Sequence, residues 1–410
     1  MMANESILLV LPLRAYNVHG RIFTDDQACN GLLRWLDNFQ TVTLACPTIV
    51  ASEAPADTLP IDSLPTQGRF CFHALPYAYS PGTFARALLP TMSRLRTLIA
   101  ESNYLHFAIG GFWGDWGSFS CVLASRMQRP YAVWTDRVES DVIRFQASSK
   151  SGLRRLYGQM NAILTQLLER SVIRRAGLGL FHGMDCYNAY SRFSTNPQLV
   201  DDVHLGADAH ISEAELSTRL ARQSLRHFVY AGRAHRDKGI HDWIAVFATL
   251  AQKRQDFRAT WFGSGPDLEA ARAEVKRRSL DAVIRFEGSI SHNDLLSALK
   301  NADAFVFCHK TRESPRCLIE ALACGLPLVG YRSDYASQLV AEHHGGLLIS
   351  PDDVVSLAAA VETLFDDSTL HLRSRAAARD GSLFSTEAIF KHRSDLMKRL
   401  IPILLEARDS

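Results

Sequence analysis

Residues 302–331 read ADAFVFCHKTRESPRCLIEALACGLPLVGY, and the order of apolar and polar residues in this stretch decides the fold. Ala302–His309 is a nearly continuous apolar run, as expected of a parallel strand covered on both faces. Lys310–Ser314 then falls at the strand's carboxyl end, where ligands bind in open α/β sheets. Ser314 and Pro315 read as the N-cap and first residue of a helix, since a serine hydroxyl accepts from free amides and proline fits the first turn. Gly325, with Pro327 two residues on, closes that helix, and LPLVGY opens the next strand. The amides of Arg316, Cys317 and Leu318, at the positive end of the helix, are expected to face a crevice and to suit an anion. Glu313 precedes the helix and Glu320 lies inside it. A carboxylate accepting from two adjacent hydroxyls grips a ribose diol, so the pattern suggests phosphate at the helix end, ribose on Glu320 and a sugar near Glu313.

The same alternation of strand-length apolar runs and helical patterns extends both ways along the 410 residues, a length that suits two domains rather than one core. Strands are expected at 6–12, 41–47, around 104–110, at 130–136 and 177–181, with helices near 25–36, 84–102 and 153–174. A second series begins at HFVYAG (227–232). The expected organisation is an N-terminal domain over 1–208, a polar connector over 209–226, a C-terminal domain over 227–385 and a C-terminal segment over 386–410. That segment holds a long helix, about 386–407, which is read as crossing back onto the first domain. The fold class is α/β, with two doubly wound Rossmann-like domains facing a cleft.

Charge and composition exclude several functions. With 45 basic and 43 acidic residues the net charge is +2, so no strong field points to nucleic acid. The eight cysteines form no Cys-x-x-Cys pair or zinc-type cluster and read as reduced thiols of a cytosolic protein. The N-terminus lacks the charge pattern of a signal peptide, and no segment has the roughly 18 apolar residues of a membrane span. Neither a Gly-x-Gly-x-x-Gly fingerprint nor a Walker-type Gly-Lys-Ser/Thr sequence is present, which argues against a dehydrogenase and an ATPase.

With these motifs in order, Phe228–Phe365 resembles the retaining glycosyltransferases of family 4, which have the glycosyltransferase-B fold. AGRAHRDKGI (231–240) is similar to the loop whose Arg and Lys hold the donor diphosphate, which carries over to Arg233 and Lys238 beside Gly232. FGSGP (262–266) looks like the glycine loop beside the nucleotide, implying Gly263, Ser264 and Gly265. VIRFEGSIS (283–291) looks like the base-reading strand end, implying Phe286. The resemblance assigns the donor sugar to Glu313 and the ribose hydroxyls to Glu320. This chain has one residue fewer between the two glutamates than the family's pattern, and a Ser-Pro-Arg turn replaces the usual glycine-containing one. The implied reaction moves a sugar from a UDP- or GDP-linked donor to a glycan or lipid-linked acceptor, with retention, without metal or other cofactor, in a setting such as cell-surface polysaccharide synthesis. A nucleotide-sugar epimerase on the same fold and a non-catalytic sugar-nucleotide or glycan-binding protein are the rival readings.

The first domain is expected to carry the acceptor. GGFWGDWGS (110–118) offers Trp113 and Trp116 for stacking on sugar faces and Asp115 for hydroxyls. Aromatics packing under a loop are the plain alternative. Asp136 stands at a strand tip where many relatives carry a histidine that touches the donor sugar. Gly20 lies where relatives have a glycine-rich loop, and His182 follows a strand end. The helix near 153–174 carries Leu153, Leu156, Met160, Ile163, Leu164, Leu167 and Leu168 among arginines. It reads either as a surface helix packing on the sheet or as a basic amphipathic helix resting on anionic lipid. The expected location is therefore cytoplasmic, with peripheral contact with the cytoplasmic face of the membrane as a second reading.

Overall fold

The computed structural model describes residues 5–55, 58–206, 208–222 and 225–401. The chain forms two compact units, one of residues 1–204 with 387–410 and one of residues 205–386.

In the second unit the strands lie in the order Ile284–Gly288, Phe257–Phe262, Arg226–Ala231, Ala304–Phe307, Leu328–Tyr331 and Gly346–Ile349. Every pairing is parallel. Counted along the chain, this is the doubly wound order 3-2-1-4-5-6. The order reverses between Arg226–Ala231 and Ala304–Phe307, which makes the carboxyl ends of those two strands the topological switch point. The strand residues Ala304, Phe305, Val306 and Phe307 are all buried, which is why the run carries no polar alternation.

The first unit repeats the plan. Its parallel strands run Phe70–Pro76, Thr41–Val50, Ser6–Val10, Tyr104–Ala108, Ala132–Thr135, Leu178–His182 and Pro197–Val200 across the sheet. The strand Ser6–Val10 is buried on both faces: Leu8 and Val10 enter one core with Phe107, Val133 and Phe181. Ile7 and Leu9 enter the other with Val42, Leu44 and Leu180. That second core also takes Phe390, Leu396 and Met397 from the helix Thr386–Leu400. Burial of each such side chain stabilises by about 1.5–3 kcal/mol. Arg393 of the same helix reaches Asp202 at 2.6 Å and lies over the Trp134 ring, its guanidinium carbon 4.0 Å from the centroid. The expected continuation of this helix past 401 lies outside the described residues.

Three segments differ from expectation. The connector at 209–226, helix-prone in sequence, holds the helix Glu213–Leu220, and it belongs to the second unit instead of standing between the two. Ser212 and Glu215 form its capping box, which the sequence SEAE carries in plain view. The stretch after the first strand is an antiparallel hairpin, Ala15–Val18 with Arg21–Asp25. Between them His19 (φ 52°) and Gly20 (φ 87°) both take positive φ, as a two-residue hairpin turn requires. Lastly, the helix Gly152–Arg175 buries Gly158, Ala162, Thr165, Glu169, Val172 and Ile173 and leaves most of its large apolar residues exposed. Close approach explains the choice of face, because a Cβ on Gly158 would lie 2.6 Å from the Ala147 Cβ.

Candidate functional site

At the switch point of the second unit, the turns after strands Arg226–Ala231 and Ala304–Phe307 bring together the charges singled out in the sequence. Lys238 Nζ lies 2.5 Å from Glu313 Oε2. Glu313 is only 7% exposed. A buried carboxylate beside an ammonium is a strong, local charge pair, because little water screens it. Arg233 is half-exposed, 3.8 Å from the buried Asp237, so its guanidinium stands at the rim.

The backbone fixes where these side chains begin. Arg236–Lys238 is a single turn of 3-10 helix, and Gly239 follows at φ 70°. A Cβ on Gly239 would lie 1.9 Å from the Cys308 carbonyl oxygen, so the Lys-Gly pair is a requirement of close approach as well as of turn geometry. The Lys310 amide donates to the Asp237 carbonyl at 2.8 Å and ties the two turns together. FGSGP packs against the same region through main chain: Gly232 N donates to Phe262 O, Ala234 N to Ser264 O and Gly263 N to Gly288 O, at 2.6–3.1 Å. A Cβ on Gly263 or Gly265 would fall 2.2 or 2.3 Å from the carbonyl oxygens of Gly232 and Ala234. These glycines are therefore fitted first to their neighbouring loop. Ser264 is exposed and Phe286 half-buried on the adjoining strand Ile284–Gly288.

Glu320 is 3% exposed, which excludes a solvated face. Its Oε1 lies 3.1 Å from His292 Nε2, on the first residue of the helix His292–Lys300. The helix carrying Glu320 runs Cys317–Ala323, with Arg316 as N-cap. It thus begins two residues later than the Ser314-Pro315 signal suggests. The Leu318 amide, expected to face an anion, donates instead to the Pro315 carbonyl at 3.2 Å. The far end closes as expected, with Gly325 N bonded to Leu322 O and Leu326 N to Ala321 O. Here the former connector enters: the buried Arg219 donates to Cys324 O at 2.8 Å and to Gly325 O at 2.6 Å. A cation at a helix carboxyl terminus is well placed for the macrodipole. Burial pulls the Arg219 pKa down to about 10.

Sequence reading missed three participants. His309 follows the strand Ala304–Phe307 and hydrogen-bonds the Tyr230 hydroxyl at 2.9 Å. Burial, then the Lys238 charge, holds its imidazole well below the ordinary range, so it is neutral. His292 and Arg219 are the others. A histidine at a strand's carboxyl end was the signal available for His309. For His292 it was the Ser291 N-cap directly after a strand.

The first-unit candidates divide. Asp136 is exposed directly after Ala132–Thr135, at the strand's carboxyl end. Asp115 faces inward: its oxygens accept from Gly110 N at 3.0 Å, Gly117 N at 3.2 Å and the Ser118 hydroxyl. It caps the helix Trp116–Arg126, and burial pushes its carboxyl up to about 6. Trp116 is buried, donating to Pro76 O at 2.8 Å, and it packs with Phe84. Trp113 meets Phe84 and Phe112 edge-on. The plain reading of aromatics under a loop is what the structure has. His182 is buried and stacked on Trp134 at 5.6 Å, so it is a core residue rather than a surface ligand. Gly20 is the exposed hairpin turn already described. A groove of about 370 Å³ at the carboxyl ends of Thr41–Val50 and Phe70–Pro76 was not foreseen. Thr48, Leu75, Pro76, Pro90, Thr91 and Arg94 line it. The eight cysteines, all among the described residues, form no disulfide.

Comparison with known proteins bears on the family and the fold. A glycogen synthase of Mycobacterium tuberculosis is 30% identical over 163 residues, covering 40% of this chain and 39% of that enzyme. The chain thus spans about two-fifths of the length of that curated relative. Among solved structures, a sucrose-phosphate synthase from Thermosynechococcus elongatus superimposes with a TM-score of 0.68 at 17% identity, over 97% of this chain and 99% of the other. Anabaena HepE, solved in complex with UDP-glucose, gives 0.67 at 15% identity, over 96% and 100%. Residues 215–381 match the family model of the glycosyl transferases group 1, and the chain's fold is the glycosyltransferase-B fold of these neighbours.

Proposed function

We propose that this protein is a retaining glycosyltransferase that moves a sugar from a nucleotide-diphosphate donor to a carbohydrate or lipid-linked acceptor, in the manner of family 4. The observation that carries the reading is the pairing of Lys238 with the buried Glu313 at the switch point, with the buried Glu320 on the following helix. Similarity to glycosyltransferases over residues 215–381 supports it.

In this reading Lys238 and the rim guanidinium of Arg233 bind the diphosphate, Glu320 takes the ribose hydroxyls and Glu313 a hydroxyl of the donor sugar. The bond between the anomeric carbon and the diphosphate oxygen breaks, and the nucleoside diphosphate leaves with the electron pair. The acceptor hydroxyl forms the new bond on the same face and passes its proton to the departing phosphate. Catalysis then consists mainly of stabilising the charge that develops on that phosphate, which fixed cations do well in a site of low dielectric. No metal or cofactor takes part in the reaction as proposed. The acceptor is assigned to the first unit, where Asp136 and the groove near Arg94 are the available features. Synthesis of a cell-surface polysaccharide suits this chemistry.

The test is calorimetric titration of the full chain with UDP, GDP and ADP and their sugar conjugates, followed by an acceptor screen. Selective binding of one base, lost in Lys238→Ala, supports the donor site. Folded protein that ignores the whole panel would leave a non-donor-binding relative of the fold.

A further inference from the structure

The helix Gly152–Arg175 is apolar on the side that faces away from its unit. Leu153, Leu156, Tyr157, Met160, Ile163 and Leu167 are between 46% and 84% exposed. At about 100° per residue they fall in one stripe roughly 120° wide, opposite the buried set centred on Ala162. A single exposed leucine needs no explanation, but a line of six large apolar residues marks an interaction surface.

The charges around the stripe have one sign. On the same count Arg174 falls within the stripe and Arg170 and Arg175 at its edges, with Lys150 just before the helix, while Arg154 and Arg155 point away from the stripe. The helix's single acid, Glu169, is buried on the inner side. Among the described residues no carboxylate pairs with Arg154, Arg155, Arg170 or Arg174. The Phe193 ring collects three of the guanidiniums, with Arg192 at 4.8 Å, Arg170 at 4.9 Å and Arg174 at 5.3 Å from its centroid. Three like charges on one ring repel each other until anions come between them. A chain with a net charge of +2 has thus concentrated unneutralised cations along one apolar face.

We propose that this face rests on an anionic lipid surface, the helix axis parallel to the bilayer plane. The apolar stripe enters the boundary between headgroups and acyl chains, and the flanking arginines meet lipid phosphates. Crossing the bilayer is not the mode, because no helix among the described residues is long and apolar enough to span it. A second copy is the poorer occupant: a twofold contact would set the face against itself, arginines against arginines.

The experiment is flotation of the full chain with vesicles, without nucleotide, so that its outcome is separate from that of the donor titration. One set is phosphatidylcholine alone, and the other contains about one-third phosphatidylglycerol. The parent binds the anionic set at least about tenfold more tightly, and added salt removes most of the difference. Met160→Glu with Ile163→Glu, both on the exposed stripe, loses at least about tenfold in binding with an unchanged circular dichroism spectrum. Arg170→Glu with Arg174→Glu loses the preference for the anionic set. Equal binding of parent and Met160→Glu/Ile163→Glu overturns the proposal, as does folded parent that floats with neither vesicle. A dimer dissociated by that same pair, without vesicle binding, would give the face to a second copy instead.

Discussion

Lys238 and Glu313, 75 residues apart in the chain, meet at 2.5 Å across the two strand ends where the second sheet reverses its order. The pair joins the residue expected to bind phosphate to the one expected to touch the sugar, so each can be tested through the other.

Lys238→Ala should weaken nucleoside diphosphate binding by about 1.5–3 kcal/mol, the range of charge-assisted hydrogen bonds. It should also lower stability by roughly 1–3 kcal/mol, because Glu313 keeps its buried charge without that ammonium. Adding Glu313→Gln should recover part of the stability and none of the binding. Denaturant titration and calorimetry on Lys238→Ala, Glu313→Gln and the double variant check this, and a pair of substitutions whose effects simply add would deny the coupling.

Glu320→Ala should weaken the preferred ribonucleotide by about 1.5–3 kcal/mol while leaving its 2′,3′-dideoxy analogue nearly unaffected. Parallel titrations decide it. Equal losses would reduce Glu320 to a structural partner of His292.

Arg219→Met should cost about 3 kcal/mol or more, since the Cys324 and Gly325 carbonyls lose their donor at a buried helix end. Arg219→Lys should recover only part, because an ammonium cannot reproduce the two-pronged geometry. Urea midpoints measure both. A neutral Arg219→Met would mean that the helix end closes well enough through Gly325 and Leu326 alone.

Glu169 carries a pH prediction. Burial pushes its carboxyl from 4.5 up to about 7, so the folded chain holds this proton more tightly than the unfolded one. Its effect is absent below the unfolded pKa and becomes a growing penalty as pH rises from about 4.5 to about 7. Glu169→Gln should flatten that fall and be more stable than the parent at pH 8 by roughly 1–3 kcal/mol. Urea midpoints at pH 5 and pH 8 should diverge between parent and variant; parallel curves would place the carboxyl in water.

Gly263→Ala should destabilise by roughly 2–4 kcal/mol, since its methyl would overlap the Gly232 carbonyl oxygen. Gly20→Ala, where nothing lies within 4 Å of the new atom, should lose only about 1 kcal/mol, the penalty of a positive φ. Thermal melts of the pair separate crowding from backbone strain.

Periodicity made the strand Ala304–Phe307 and its helix legible, because burial on both faces leaves an apolar run that no exposed element tolerates. The ordered motifs made Glu313, Glu320 and Lys238 legible, because each stands at a strand end or helix start whose place the pattern dictates. Direction was not legible. Asp115 and Trp116 cap and open a helix at the corresponding point of the first sheet, yet a local pattern does not say whether a side chain turns outward or down onto Phe84. The long helix shows the same limit: its leucines have core periodicity, and only the contact of Gly158 with Ala147 shows that the small residues face inward. Arg219 was hidden for another reason. Its partners are main-chain carbonyls 105 and 106 residues away, and carbonyls leave no trace in side-chain sequence.

The main-chain ladder among Gly232, Ala234, Phe262, Gly263, Ser264 and Gly288 has an evolutionary reading. The floor of this region is built from amides and carbonyls, so its shape does not depend on the exposed side chains of Arg233 and Ser264 or on the half-buried Phe286. Those positions can change identity while the platform beneath them stays the same. Substitution at the surface of this region therefore does not require the fold to be renegotiated at each step.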